Sequence, residues 1–450
     1  MVVETSRRLV AGPRGMPLLG SLPWFARDPL GFFEDLQRDH GDVVPYRLGP
    51  YRYWLVASPA GMERVLVTEA SKVTKDRTTR SLSRVLGDGL VTSENPLWKR
   101  QRKLAAPSFT PRQIASYADI MVDAAERGVQ RVLAQPAGPR DVHHDMTEVT
   151  LEIVVRTLFG SFDDQTERAG RAIAGFMQAF ESEIRSIRRL LPKWLPSRSR
   201  REMEASRATL ESIVDGFIKA RRTTGEMRDD LLGRLLAARD EAGRGMDDRQ
   251  LRDEAITMFA AGHETTSVAL GYALWQLARH PEIQDALVQE LDDVVGDRLP
   301  TLDDARALVL HDAVIRETMR LYPPVWMVGR RAVEPFEVDG HRIEAGDQLL
   351  LSVWLAHRDP RHWTGPEAFR PMRWRNGETD DLPRFAYVPF AGGPRVCIGN
   401  HFAMLEAVLV LATWLRKLAV APEPSARLAL MPAVTLRPRH GLSLRVSPRG

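Results

Sequence analysis

The 450-residue sequence holds a single cysteine, Cys397, in the stretch Phe390-Ala-Gly-Gly-Pro-Arg-Val-Cys-Ile-Gly399. A lone cysteine cannot close an internal disulfide, so its chemistry is that of a thiol or a thiolate. Gly392, Gly393 and Pro394 force an irregular loop, and the apolar run Phe402–Leu415 that follows reads as a helix. A sulfur just ahead of a helix start meets unpaired N–H groups and the positive end of the dipole, and Arg395 adds a nearby cation. That setting predicts a buried thiolate, a soft ligand for a metal such as haem iron. The plainer role of a single cysteine is a small buried hydrophobe, so the choice turns on what else the chain carries.

Three further groups of residues could do chemistry. Ala260-Ala-Gly-His-Glu-Thr-Thr266 lies inside the longest helical pattern, Asp247 to His280. Small residues there leave room for a flat group to approach, and an acid beside a hydroxyl can relay protons. Glycine and threonine also weaken or bend a helix, so a packing notch explains the same letters. Trp98 and Arg102, four apart, share a helix face on which an indole N–H and a guanidinium could clamp a carboxylate; a surface ion-pairing face is the alternative. Glu317 and Arg320, three apart, form an ordinary helical pair.

The elements that must position these residues follow from period and punctuation. Residues 1–27 read as an extended Pro/Gly-rich lead-in. Asp28-Pro29 starts a helix that runs to about His40, and Asp42–Leu48 with Arg52–Val56 makes a β-hairpin across Gly49-Pro50. A helix starts at Ser58-Pro59, and Lys72–Leu90 is a long loop with a short helical piece. Residues 113–133, 145–159, 164–189, 202–222 and 229–239 are helical by period, followed by the long pattern, a helix from Pro281, and Leu302–Leu321. Short strands are expected over Ala332–Val338, Arg342-Ile343 and Gln348–Val353, with Phe369–Trp374 in a loop. Pro432–Leu436 and Leu442–Val446 read as a closing hairpin. No repeat, low-complexity tract or linker divides the chain, which is expected to form one domain.

Forty-four per cent hydrophobic and 27% charged residues describe a globular chain able to bury a large core. Sixty-three Lys and Arg against 59 Asp and Glu leave +4, and no aromatic-interleaved basic run is present, so nucleic acid is not an expected partner. No run of about 18 apolar residues occurs, and the polar Met1–Arg14 is neither signal nor anchor. A soluble, cytoplasmic protein is expected, and one cysteine suits a reducing compartment. Arg185, Arg188, Arg189, Lys193, Arg198, Arg200 and Arg201 surround Leu190, Leu191, Trp194 and Leu195. That segment suits peripheral contact with a lipid surface, or equally a solvated inter-helix loop.

Taken in order, the Trp98/Arg102 helix, the Ala261–Thr266 notch, Glu317/Arg320 with Arg373, and the Phe390–Gly399 loop resemble the cytochrome P-450 family over nearly the whole chain. The resemblance implies a mainly α fold with small β-sheets, a helical prism enclosing haem b. It implies that Cys397 is the axial thiolate, with Phe390, Ala261, Thr265 and Gly399 also against the cofactor, and that Trp98, Arg102, Arg330 and Arg395 hold the propionates. Glu317, Arg320 and Arg373 would form a buried structural network, and Glu264 with Thr265 would steer protons toward the dioxygen being reduced. The implied reaction is monooxygenation, one oxygen atom entering the substrate and the other leaving as water. Electrons would come from NAD(P)H through a separate ferredoxin or flavodoxin and its reductase, in a bacterial-type, monomeric member. Lys99, Arg100, Lys103 and Arg416 would suit an acidic partner, or serve as solubilising charge.

The same resemblance places Leu82, Val85, Leu86, Phe176, Phe180, Ala260, Val325, Met327, Val328, Ala433 and Val434 on the substrate wall. That wall is apolar and suits a fatty acid, a terpene or a carotenoid, with Arg77 or Arg80 available to meet a carboxylate or simply solvated. A peroxide-driven haem-thiolate peroxygenase is a rival, opposed by the Glu264–Thr265 pair, and a non-catalytic haem-binding sensor is another.

Overall fold

The structure, a computed structural model, describes residues 12–185, 198–225 and 228–449. Helices dominate and the sheets are small, as expected. The chain divides into two compact units. Met1–Arg80, Val325–Ala368 and Asp380–Cys397 make the first, and Ser81–Pro324, Phe369–Thr379 and Ile398–Gly450 make the second.

The first unit is built on a five-stranded mixed sheet. The hairpin predicted across Gly49-Pro50 forms, Val43–Leu48 pairing antiparallel with Tyr51–Val56. Gly49 takes the positive φ that the turn needs. Tyr51–Val56 then pairs in parallel with Gln348–Leu351, which pairs antiparallel with Val328–Ala332, and Val73–Lys75 closes the far edge. Trp54, Val56, Leu349 and Leu351 form a core there with Met62, Val65, Leu66, Phe385 and Val388. The helix Pro29–His40 starts where predicted, the Asp28 carboxylate accepting from Gly31 N.

The second unit is a helical assembly around Asp248–Leu277, capped by Asp247. This helix packs against Val142–Phe159, Arg198–Thr224, Val309–Leu321 and Asn400–Lys417. It is buried over most of its length because it has neighbours on several sides.

Several boundaries differ from the sequence reading, each for a local reason. The lead-in is not extended throughout, since Leu22–Arg27 is helical. The Lys72–Leu90 stretch is more ordered than a loop, with Arg77–Ser81 and Ser83–Leu86 helical. The Asp76 carboxylate starts the first of these by accepting from Thr78 N and Thr79 N. Residues 113–133 break into Pro111–Ala115 and Ala118–Leu133, where the Ser116 hydroxyl takes the Gln113 carbonyl. Leu302–Leu321 breaks at the buried Leu308. The Glu290 carboxylate, from the Pro281–Val294 helix, accepts from Leu310 N and His311 N and so caps a new start. Val353, expected to end a strand, instead starts the helical turn Val353–Ala356. The closing hairpin does not form as predicted. Leu430–Pro432 pairs with Leu436–Pro438, whereas Ser443–Pro448 pairs with Leu418–Pro422 and Gly138–Asp141. Alternation marks strands without naming their partners. Among the described residues no helix is long and apolar enough to cross a membrane. Residues 186–197, the heart of the segment considered for lipid contact, lie outside the described residues.

Glu317, Arg320 and Arg373 are all at most 2% exposed. Arg320 grips the Glu317 carboxylate with two nitrogens, at 3.0 and 2.8 Å. Arg373 Nε adds a bond at 3.1 Å, Trp374 Nε1 at 2.9 Å and the Arg370 backbone N–H at 3.0 Å. The sequence pointed to the charges but not to Trp374 or to the backbone donor. Glu317→Gln is expected to lower the unfolding free energy by about 3–5 kcal/mol, the cost of leaving buried guanidiniums without their counter-charge. Guanidinium chloride titration measures it, and a loss under about 1 kcal/mol would place the network at the solvated surface instead.

Candidate functional site

The cysteine loop is set by close backbone approaches within the first unit. Gly393 has φ +69°, and a Cβ there would meet the Leu66 carbonyl oxygen at 1.9 Å. A Cβ on Gly392 would meet the Phe385 ring at 2.5 Å. Ala391 also sits at positive φ, a small store of strain of about 1 kcal/mol. The turn then closes through Val396 N to Gly393 O, 3.1 Å, and Cys397 N to Phe390 O, 3.0 Å. The Phe390 contribution is thus a backbone acceptor that fixes the cysteine. Gly399 is the N-cap of the helix Asn400–Lys417. Cys397 is exposed, not buried as the sequence suggested. The glycines hold the loop by its backbone and leave Cys397 exposed, which does not fit a core hydrophobe.

In the second unit the Ala260–Thr266 stretch sets a packing glycine beside an exposed alanine, about 100° apart round the helix. Gly262 is a packing notch: a Cβ there would lie 2.8 Å from Val154 Cγ2 on Val142–Phe159. From the same neighbouring helix Thr150 donates to the His263 carbonyl at 3.0 Å. Ala261 is exposed and Ala260 half-buried, within a helix otherwise buried along most of its length. That open face of small side chains fits the flat group that the resemblance calls for.

The acid and the alcohol do not bond to each other. Thr265 donates to the Ala261 carbonyl, one turn back, at 2.9 Å. The Glu264 carboxylate accepts from the Thr435 hydroxyl at 2.6 Å and faces Arg437 Nε at 3.5 Å.

Trp98, buried, and Arg102, half-buried, share the helix Leu97–Ala105 as expected. Arg330 is buried on the central part of the sheet and Arg395 is half-buried in the cysteine loop. Of the wall residues, Leu82, Val85, Leu86, Phe176 and Phe180 belong to one apolar cluster, with Ala260 and Val434 packed against it. Phe176 and Phe180 stack at 5.7 Å. Ala433, next to Val434, is half-buried. Val325, Met327 and Val328 are not part of that cluster; they lie in the other unit, where Val328 packs against the sheet core. Arg77 lies over the Tyr51 ring at 3.9 Å, a cation–π contact that already occupies its guanidinium. Among the cations considered for a partner, Arg100 bonds Asp240 at 2.8 Å and Lys103 pairs with Glu241. Arg416 bonds the Gly296 carbonyl, and Lys99 is exposed. Solubilising or structural charge therefore accounts for three of the four.

Sequence reasoning missed the partners of Glu264 and two buried acids. Glu254 is fully buried and accepts from Leu90 N at 3.1 Å; burial pushes its carboxyl up to about 8. Glu406, nearly two turns into Asn400–Lys417, is buried, and burial pushes its carboxyl up to about 8 against the opposing pull of the Thr266 hydroxyl. Glu406 is the one acid in the apolar run Phe402–Leu415, which is the signal available, whereas Glu254 follows a run of charged residues and carries no such mark.

A model of the family described as Cytochrome P450 matches residues 10–443. Cyclooctatin synthase of Streptomyces melanosporofaciens is 34% identical, covering 98% of this chain and 94% of that protein. Pentalenene oxygenase of Streptomyces avermitilis is 32% identical, covering 98% of both. Cyclooctat-9-en-7-ol 5-monooxygenase of Streptomyces melanosporofaciens is 31% identical, over 92% of this chain and 90% of that one. Among solved structures, the heme domain of cytochrome P450DA superposes with a TM-score of 0.88 at 27% identity, covering 98% of this chain and 97% of that chain.

A glutamate raised to about 8 in the folded chain, from a usual 4.5, binds a proton that the unfolded chain has released. Its contribution is favourable at low pH and declines as pH rises from about 4.5 to about 8. Glu406→Gln should therefore gain stability relative to the parent as pH climbs through that window, read from urea midpoints at several pH values. A constant difference would show that Glu406 keeps its ordinary acidity.

Proposed function

The chain belongs to the cytochrome P450 family, and from that premise we propose that it oxygenates a terpene. It is a haem-dependent cytochrome P450 monooxygenase. The observation that carries the substrate class is the apolar cluster joining Leu82, Val85, Leu86, Phe176 and Phe180 to Ala260 and Val434. An apolar wall selects by shape and desolvation, and it favours a hydrocarbon or a simple alcohol. The names of the relatives agree: a pentalenene oxygenase and a cyclooctat-9-en-7-ol monooxygenase. A fatty acid finds less support, since Arg77 is engaged with Tyr51.

Cys397 would hold the haem iron through its thiolate, being the only cysteine in the sequence and exposed on a backbone-fixed loop. Trp98, Arg102, Arg330 and Arg395 are assigned to the propionates, for which guanidiniums offer charge-assisted bonds. Ala260 and Ala261 keep the helix face low. When bound, the haem supplies the reduction of dioxygen and the insertion of one oxygen atom into the substrate. Thr265 is assigned to hold and pass a proton at its hydroxyl, exchanging its bond to the Ala261 carbonyl for one toward the reacting oxygen. Glu264 is assigned as the acid that resupplies it. Electrons are assigned to NAD(P)H through separate redox proteins.

Three measurements test this reading. Cys397→Ser should lose the red-shifted Soret band of the reduced carbonyl complex, and retention of that band would remove the ligand assignment. Titration with terpene hydrocarbons and alcohols should shift the bound iron from low to high spin. A shift given by polar compounds or fatty acids and by no terpene would overturn the substrate class. Thr265→Ala should divert electrons to peroxide, lowering product per NAD(P)H by about tenfold or more, within what the roughly 10²–10⁴-fold contribution of a placed proton-transfer group allows.

A further inference from the structure

The resting position of Glu264 calls for an explanation. Its carboxylate is bonded not to Thr265 but to the segment that follows strand Leu430–Pro432. The Thr435 hydroxyl, on a side chain only 4% exposed, donates to Oε1 at 2.6 Å. Arg437 Nε stands 3.5 Å from the same oxygen. The two side chains of this pair are 20% and 13% exposed, so solvent screens the attraction only in part.

The element that makes this hold is slight. Leu430–Pro432 and Leu436–Pro438 pair over three positions in a two-stranded sheet, and Pro432 and Pro438 bring no N–H to it. Its turn is closed by Ala433 N to Thr435 O at 3.1 Å, and Leu436 N is tied to the Pro324 carbonyl at 2.9 Å. Val434, at the tip, packs on the apolar cluster that carries Phe176, Phe180 and Ala260. Val434 and Thr435 are neighbours in sequence, so a ligand that displaces the first moves the second. The weak ladder offers little resistance to that movement, while the Pro324 contact keeps the strand from leaving altogether.

We propose that Thr435 and Arg437 are positioning residues that hold the Glu264 carboxylate away from Thr265, and that a lipophilic substrate pressing on Ala433–Val434 loosens this hold. Proton supply then follows occupancy of the apolar wall. The proposal rests on the reading of Glu264 as the proton-supplying acid, and the experiment separates the two.

Thr435→Val keeps the shape and removes the hydroxyl; Arg437→Gln removes the charge and Arg437→Lys keeps it. The carbonyl-complex band and the substrate-induced spin shift, measured on each haem-loaded variant, select those that fold and bind normally. Thr435→Val and Arg437→Gln should raise peroxide release from NAD(P)H in the absence of substrate by about tenfold, the scale of one charge-assisted hydrogen bond. Arg437→Lys should stay near the parent. Infrared difference spectra give a readout independent of turnover. Adding substrate to the parent should shift a carboxylate band that is missing in Glu264→Gln, and in Thr435→Val that band should already be shifted beforehand. If Glu264→Gln uncouples turnover while Thr435→Val and Arg437→Gln leave both peroxide release and the band unchanged, the hold is structural only and the proposal falls. If Glu264→Gln leaves coupling intact, the acid assignment itself falls and takes the proposal with it.

Discussion

Much of this chain depends on one carboxylate with no access to water. Glu317 meets two guanidiniums, an indole N–H and a backbone N–H, while all three charged side chains are buried. An ion pair in such surroundings gains only if the geometry is complete, because each lost partner leaves a desolvated charge. Completeness is what ties Pro371–Trp374 to Val309–Leu321. These bonds join residues more than fifty positions apart. The cysteine loop is held by sterics at Gly392 and Gly393 and by two backbone hydrogen bonds.

The long helix Asp248–Leu277 shows how one stretch can meet two demands. Its packing side needs Gly262, since Val154 fills the space a side chain would take. Its open side needs Ala261 and Thr265, small enough to leave room. Gly262 supplies the packing notch considered for Ala260–Thr266, and Ala261, about 100° round the helix from it, is exposed.

What the sequence made legible follows the range of the interactions. The hairpin across Gly49-Pro50, the start at Asp28-Pro29 and the glycine-forced loop before Cys397 depend on neighbours a few residues away, and each formed as read. The break at Leu308 depends on Glu290, and the partner of Ser443–Pro448 depends on strands at 418–422 and 138–141, so local pattern was silent on both. The site divides in the same way. Cys397, Glu264 and Thr265 stand in recognisable spacing, whereas Thr435 and Arg437 reach Glu264 from more than 170 residues away, out of reach of any pattern.

The buried acids make the last step plain. Glu254, Glu264 and Glu406 are the same letter, each in or beside a largely apolar helix. Glu406 has the Thr266 hydroxyl beside it and no guanidinium among its named partners, and Glu254 has one backbone N–H. Burial therefore dominates and pushes both up to about 8, so they remain neutral acids at pH 7. Glu264 instead has a hydroxyl and a guanidinium beside it. Of the three it is the one with a cation beside it, and its partners stand on a short, weakly paired hairpin. A proton carrier needs an environment that can change between two arrangements. A carboxyl sealed in hydrocarbon has only one. This contrast sets Glu264 apart from its two buried counterparts on physical grounds alone, independently of the motif in which it stands.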